Sequence, residues 1–175
     1  MVNTNYTIRR ATNDLRTAEG LTDILLDVVD GGASVGFMLP LERAKAFAFW
    51  QAALASADRG ERVLLIAVDA ESGKLLGTVQ VILALPENQP HRGDVAKMQV
   101  HRSARRQGLG EALMRAAEHE ARQLGKTLLV LDTVTNSDAE RLYARLGWER
   151  CGVIPDYALW PNGGLCSTTV FYRRL

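Results

Sequence analysis

The sequence predicts a single α/β (α+β) domain built around one central mixed β-sheet. Its 175 residues fit the usual length of one domain, so residues 1–175 are expected to fold as one unit. Strand and helix patterns follow one another in the order βααβββαβαββ. The strand–helix–strand unit over residues 94–132 predicts a parallel strand pair with a right-handed crossover. Together these observations favour helices packed on a central sheet.

The individual elements follow from apolar spacing and from turn residues. The predicted strands cover residues 6–10, 62–68, 74–85, 94–100, 127–132, 148–154 and 167–172. The predicted helices cover residues 15–29, 40–57, 109–124 and 139–146. Pro40 suits the first turn of the second helix. Ser137 and Glu140 form a capping-box pattern that starts the last helix, and Gly147 ends it.

Composition excludes several classes of protein. Lys and Arg number 21 against 20 Asp and Glu, so the net charge of +1 argues against a nucleic-acid partner. The first ten residues lack the apolar segment of a signal peptide, and the apolar run at residues 63–68 is far shorter than the ~18 residues of a membrane span. We therefore expect a cytoplasmic protein with no membrane partner.

The two cysteines, Cys151 and Cys166, lack the spacing of a metal site. We expect no metal in the protein. Two free thiols without a functional role are the simpler interpretation in a cytosolic protein, and a disulfide between them is the alternative.

The most informative segment is the glycine-rich turn at residues 105–110, Arg-Arg-Gln-Gly-Leu-Gly. It lies between a predicted strand and a predicted helix, where free N–H groups and the helix dipole favour an anion. The arginines add forked donors suited to phosphate. The alternative is a plain tight turn with solvated arginines. Glu111 follows the last glycine, which excludes a P-loop, and no GxGxxG pattern is present.

A basic stretch surrounds this turn. Lys97, Arg102, Arg105 and Arg106 lie between residues 96 and 110 without an acidic residue among them. The near-zero net charge is therefore expected to conceal one concentrated anion site beside the turn.

Two motifs in order resemble a known family. Arg105-x-x-Gly108-x-Gly110 resembles the acetyl-coenzyme A signature of the GCN5-related N-acetyltransferases, the GNAT superfamily. The pattern Asn136…Ala139…Tyr143…Gly147-Trp148 resembles the family's second element. The segment at residues 31–38, GGASVGFM, is similar to tabtoxin-resistance-type acetyltransferases.

The resemblance implies the GNAT fold, a central mixed and twisted sheet of about six or seven strands flanked by four helices. It implies an acetyl-CoA-dependent N-acetyltransferase that moves an acetyl group to a primary amine of a small molecule, amino acid or peptide by direct attack. It also implies a homodimer. The alternative is a non-catalytic acyl-CoA-binding regulatory module on the same fold.

The family pattern also implies the groups that hold acetyl-CoA. The main chain of Met98, Gln99 and Val100 would pair with the pantetheine arm, and an amide of Met98 or Val100 would stabilise the oxyanion. Asn136 would hydrogen-bond the arm, or else it is only a turn residue before the helix. The pyrophosphate would bind the turn formed by Arg105, Arg106, Gln107, Gly108, Leu109 and Gly110.

Tyr143 matches the family's general acid, which protonates the departing thiolate; otherwise it is a core aromatic residue. Asp94 and Asp132 are candidates for the base or for an anchor of the substrate ammonium, because burial beside apolar strands raises a carboxyl pKa. Alternatively, Asp94 ends a loop and Asp132 caps a strand. Which carboxylate acts stays open. The histidines His91, His101 and His119 are further candidates.

The acceptor is expected to bind between the loop at residues 31–38 and the turn at residues 156–160. The candidate substrate-binding residues are Ser34, Phe37, Asp94, Asp132 and Tyr157. Phe37 has an alternative role as a packing residue between the first two helices. The residues do not identify the acceptor amine.

Overall fold

The computed structural model describes residues 5–175 as one seven-stranded sheet with helices on both faces. The first four residues of the N-terminal segment lie outside this description. The strands are β1 (Tyr6–Arg10), β2 (Arg62–Asp69), β3 (Leu75–Ile82), β4 (Arg92–Val100), β5 (Leu128–Val134), β6 (Glu149–Leu159) and β7 (Leu165–Arg174). The helices are α1 (Leu15–Asp30), α2 (Arg43–Asp58), α3 (Leu109–Gln123) and α4 (Asp138–Arg145). The predicted order of elements is confirmed.

The sheet order is β1-β2-β3-β4-β5-β7-β6, and every pair is antiparallel except β4 with β5. This confirms the predicted parallel strand pair around α3. It is registered over only three residue pairs, of which the last joins Asp94 to Val130. Beyond that point β4 and β5 separate, and the sheet opens on one side.

Two apolar cores cover the two faces of the sheet. Leu64 and Ile66 of β2 pack with α1 and α2, whereas Leu65 and Ala67 pack with α3. Because β2 is buried on both faces, its sequence is continuously apolar rather than alternating. Among residues 5–175, no helix combines the length and apolarity that crossing a bilayer requires.

A β-bulge interrupts β4 next to the opening. Ala96 is registered with Gln80 and Gln99 with Thr78, so Lys97 and Met98 both lie opposite Val79. Lys97 has a φ of 50°, which is uncommon for a residue with a Cβ. The extra residue reverses the alternation of β4. Val95 before the bulge, and Met98 and Val100 after it, all pack on the α3 side.

Several predicted boundaries are wrong, and the strand predicted over residues 74–85 ends already at Ile82. The helix predicted from Pro40 begins at Arg43, because the Leu39 N–H donates instead to the Pro161 carbonyl at 2.8 Å. The strand predicted to end at Ile154 continues to Leu159 through Pro155. Proline is tolerated there because β6 is an edge strand with a register shift after Ile154.

A buried carboxylate links α3 to the end of α4. Glu118 is 2% exposed and accepts a hydrogen bond from Trp148 Nε1 at 3.0 Å. Arg173 Nε lies 3.2 Å from the same carboxylate as an ion pair, although its geometry falls short of a hydrogen bond. Arg173 also donates to the Leu146 carbonyl at 2.5 Å, so one network holds the turn between α4 and β6.

We expect Glu118→Gln to lower the free energy of unfolding by about 3 kcal/mol, because it removes the buried carboxylate that pairs with the partly buried Arg173 guanidinium. Urea denaturation followed by circular dichroism measures this change. Glu111→Gln on the exposed side of the same helix is the control and should stay within ~0.5 kcal/mol of the wild type. Equal effects from the two variants would contradict the role given to Glu118.

Candidate active site

The separation of β4 from β5 opens a cleft of about 910 Å³. Its walls come from the second half of β4, the start of α3, the end of β5, α4, the loop after α1 and the last part of β6. The cleft therefore lies where β4 and β5, the only parallel pair within residues 5–175, separate at their carboxyl ends.

One end of the cleft is the turn before α3. Arg106 and Gly108 have φ values of 61° and 79°, which turn the chain sharply into the helix. No acceptor within residues 5–175 is found for the backbone N–H groups of residues 106–111. A Cβ on Gly110 would lie 3.1 Å from Leu142 Cδ2, so glycine allows α3 and α4 to approach. Unpaired N–H groups at a helix start form an anion cradle.

The predicted basic cluster is only partly at this cradle. Arg105 and Arg106 line the cleft, whereas Gln107 does not and points its amide at the Ser103 carbonyl, 3.5 Å away. Arg102 is bound to Asp27 of α1 at 2.9 Å. Lys97 lies toward α2. The prediction of one concentrated cluster of four cations is therefore wrong, because the bulge and Asp27 draw two of them away.

The wall on β4 presents Met98, Gln99 and Val100 to the cleft. None of the three has a registered partner on β5, so this edge of the strand is open inside the protein. Gln99 is 3% exposed, and neither its amide oxygen nor its amide nitrogen has a hydrogen-bond partner within residues 5–175. An open strand edge and an unpaired amide both suit an extended polar ligand.

Tyr143 on α4 is 5% exposed and also lines the cleft. Its ring packs with Trp148 and Phe171 at centroid distances of 6.1 and 6.2 Å. Burial, together with the charge of Asp132, raises the pKa of Tyr143 far above its ordinary value of 10.0. Tyr143 is thus a core aromatic residue and, at neutral pH, a protonated phenol at the cleft.

The two candidate carboxylates differ in their surroundings. Asp132 lines the cleft, and the Thr168 hydroxyl lies 2.9 Å from its Oδ2. Asp94 is outside the cleft lining and forms an ion pair with Arg92 at 2.7 Å. Burial raises the pKa of Asp94; Arg92 opposes that effect and Asp132 adds to it. Asp132 also lies within β5 rather than at its end, since the strand continues to Val134.

Sequence reasoning missed the position of Lys97. The bulge directs its ammonium toward α2, where Nζ lies 5.7 Å from the centroid of the Phe49 ring. Burial lowers the pKa of Lys97, whereas the nearby charge of Asp132 raises it. No sequence signal marks the bulge, because the residue with positive φ is a lysine and not the glycine or asparagine that usually adopts this conformation.

The remaining candidate residues occupy mixed positions. Ser34 lines the cleft and donates to the Leu159 carbonyl at 2.9 Å, and Tyr157 lines it with 55% exposure. Phe37 is outside the lining and packs edge-on against Phe49 at 5.2 Å. Asn136 is also outside it, and its backbone N–H donates to Glu140, which completes the cap of α4. Ser137 caps the same helix as predicted.

The histidines lie away from the cleft wall. His91 borders a separate hollow of about 410 Å³ beside Cys151, and His119 is exposed on α3. His101 Nε2 is 3.6 Å from Asp27 Oδ1. Both Cys151 and Cys166 are free thiols in the structure. Within residues 5–175, no group of three or more His, Cys, Asp or Glu side chains is placed to hold a metal ion.

A sheet that parts at a parallel strand pair beside an N–H cradle defines a GNAT-type acyltransferase. The family described as Acetyltransferase (GNAT) family matches residues 34–148, more than half of the sequence, and the chain belongs to this family of N-acetyltransferases. The predicted family and its fold are confirmed.

Known proteins agree with this assignment. Aminoglycoside N(6')-acetyltransferase type 1 of Klebsiella aerogenes is 39% identical over 89 residues, which is 49% of this chain and 58% of that protein's length. The N-acetyltransferase of Staphylococcus aureus Mu50 has a TM-score of 0.80 at 17% identity, covering 97% of this chain and 98% of that one. The yncA protein of Salmonella typhimurium, solved with its cofactor acetyl-CoA, has a TM-score of 0.79 at 21% identity, covering 98% and 94%.

Asp27 anchors the segment that leads into the cradle. Its carboxylate accepts hydrogen bonds from the Arg102 backbone N–H at 2.7 Å and from Arg102 Nε at 2.9 Å. Burial opposes ionisation of Asp27, but these bonds outweigh it and hold its pKa below the ordinary 3.8. A lowered pKa means that ionised Asp27 stabilises the fold above that ordinary value, and the stabilisation is lost as pH falls through the folded-state pKa.

We therefore expect Asp27→Asn to cost about 1–2 kcal/mol of unfolding free energy at neutral pH, because two charge-assisted hydrogen bonds are weakened. The difference from the wild type should shrink as pH falls below 3.8. Urea melts at a series of pH values measure it. Asp30→Asn on the exposed end of the same helix is the control. A difference that is independent of pH would contradict the role of this carboxylate.

Proposed function

We propose that this enzyme transfers the acetyl group of acetyl-CoA to a primary amine by direct attack. One observation carries the proposal: the open edge of β4 runs along the cleft to the unpaired N–H groups of residues 106–111. This arrangement suits a long, extended ligand that ends in a pyrophosphate. The aminoglycoside acetyltransferase among the relatives supports an amine as acceptor.

The cradle and the open edge of β4 would bind different parts of the cofactor. The N–H groups of residues 106–111 and the side chains of Arg105 and Arg106 would hold the pyrophosphate. The main chain of Met98, Gln99 and Val100 would bind the pantetheine arm, which supplies the acetyl thioester. The Asn136 side chain makes no hydrogen bond within residues 5–175, and its predicted contact with the arm stays a prediction.

Tyr143 would act as the general acid. A thiolate leaving group needs a proton, and a buried phenol with a raised pKa keeps its proton at neutral pH. Its ring packs in the core, but its hydroxyl makes no hydrogen bond within residues 5–175 and is free to donate to a ligand. The same burial excludes Tyr143 as a base, because its ionised form is strongly disfavoured.

Asp132 would serve the acceptor. It lines the cleft and its carboxylate receives at most the single proton of the Thr168 hydroxyl, which leaves lone pairs for an ammonium. Asp94 is already paired with Arg92 and is therefore the second candidate after Asp132. We therefore assign to Asp132 the first contact with the amine, whether as anchor or as base. A cytoplasmic location and a homodimer stay predictions.

Replacement of Tyr143 tests the chemistry. We expect Tyr143→Phe to lower kcat at least tenfold, about 1.4 kcal/mol of barrier, because the leaving sulfur loses its proton donor. The affinity for acetyl-CoA should be nearly unchanged. Steady-state thiol release with a panel of amines gives kcat, and isothermal titration calorimetry gives the Kd.

Tyr172→Phe, on β7 and hydrogen-bonded to Glu149, is the matched control and should keep full turnover. Unchanged turnover in Tyr143→Phe would reject the acid role. Coenzyme A binding by the wild type without thiol release on any amine would instead favour the non-catalytic acyl-CoA-binding module.

A pair of glycine variants tests the cradle. Gly108 and Gly125 flank the two ends of α3 with φ values of 79° and 72°, so a side chain strains both similarly. Only Gly108 lies among the unpaired N–H groups. We expect Gly108→Asp to weaken coenzyme A binding more than about tenfold, because a carboxylate would occupy the anion site. Gly125→Asp should leave the Kd within about twofold, and an equal loss in both would exclude the cradle.

A further inference from the structure

The acceptor end of the cleft contains a cation that the proposed chemistry does not use. The bulge at Lys97 turns this side chain to the α2 face of the sheet, away from the cradle. A Cβ on Gly36 would lie 3.6 Å from Lys97 Nζ, so the loop after α1 closes over the ammonium. Lys97 lines the cleft, and it makes no hydrogen bond or ion pair within residues 5–175.

The neighbouring charged groups are mostly engaged elsewhere. Arg62 donates to Gln80 Oε1 at 2.6 Å and to Ser56 Oγ at 2.9 Å. Asp94 is paired with Arg92 at 2.7 Å. At this end of the cleft, Lys97 and Asp132 therefore remain available to bind a ligand, one with a positive and one with a negative charge.

An ammonium without an ion-pair contact in a partly buried position is costly to the protein, because burial removes water and the opposite charge of Asp132 acts on it only from beyond contact distance. The Phe49 ring compensates only in part, because an ammonium over an aromatic face gains less than one paired with an anion. Gln99, on the same wall, adds an amide that also has no partner within residues 5–175. An anionic group of a ligand could accept hydrogen bonds from the Lys97 ammonium and from the Gln99 amide N–H.

We propose that the acceptor is an amine that also bears a carboxylate, and that Lys97 binds this carboxylate while Asp132 faces the amine. The single free ammonium matches the single charge of a carboxylate. The inference rests on the proposed acetyl transfer and specifies its acceptor class. Lys97 is a specificity-determining residue that repels polycationic amines.

Thiol release with wild-type enzyme and acetyl-CoA tests the acceptor class. The panel contains the L-amino acids and simple dipeptides, their C-terminal amides, and the polycations spermidine and kanamycin. We expect turnover with carboxylate-bearing amines at a kcat/KM at least about tenfold above that of the matching amides and of the polycations. No turnover on any carboxylate-bearing amine, or equal turnover of acids and amides, would overturn the inference.

The variant Lys97→Met keeps an unbranched apolar side chain and removes the ammonium with its charge and its N–H donors. For the best carboxylate-bearing acceptor we expect its KM to rise at least about tenfold, while the KM of the matching amide changes less than about threefold. The Kd for coenzyme A should be unchanged. Lys45→Met, exposed on α2, is the control and should behave as the wild type.

An equal loss for acid and amide in Lys97→Met would show a merely structural role and would overturn the inference. The two proposals fail in different ways. Turnover of polycations or amides alone would leave the acetyltransferase intact and remove the carboxylate preference. Absence of thiol release on the whole panel would reject the proposed transfer itself.

Discussion

The parting of β4 from β5 after Asp94 and Val130 is the constraint on which the rest of the site depends. A parallel pair that stops after three registered positions leaves a strand edge with unpaired main-chain groups inside the fold. Elsewhere such an edge invites aggregation, but here α3, α4 and the loop after α1 enclose it. The cradle at residues 106–111 follows the end of the same strand after a short turn, and both line one cleft.

The charged side chains are distributed unequally between the two ends of the cleft. Arg105 and Arg106 stay at the cradle, whereas Asp27 removes Arg102 from it and the bulge removes Lys97. At the other end Arg92 neutralises Asp94 and leaves Asp132 at the cleft. The near-balance of 21 basic and 20 acidic residues over the chain therefore conceals two sites of different character, an anion cradle and an end that presents one charge of each sign.

Much of the fold could be predicted, because its elements carry local signals. The continuous apolar run of β2, the capping residues of α4 and the glycines around α3 each determine their element through neighbouring residues. The boundaries of α2 and β6 were wrong because contacts distant in sequence decide them: the Leu39 N–H donates to the Pro161 carbonyl, and β7 pairs with β6 both before and after Pro155. Gln107, Phe37 and Asn136, predicted at the site, lie outside the cleft lining.

The sequence by itself determined the order of elements, the glycine-rich turn before α3 and the presence of Tyr143 on the helix that follows β5, because periodicity and turn chemistry act over a few residues. Tertiary structure alone decided which carboxylate reaches the cleft, where Lys97 points and how far β4 pairs with β5. Those features depend on register, and a single bulged residue reverses the face of every side chain after it.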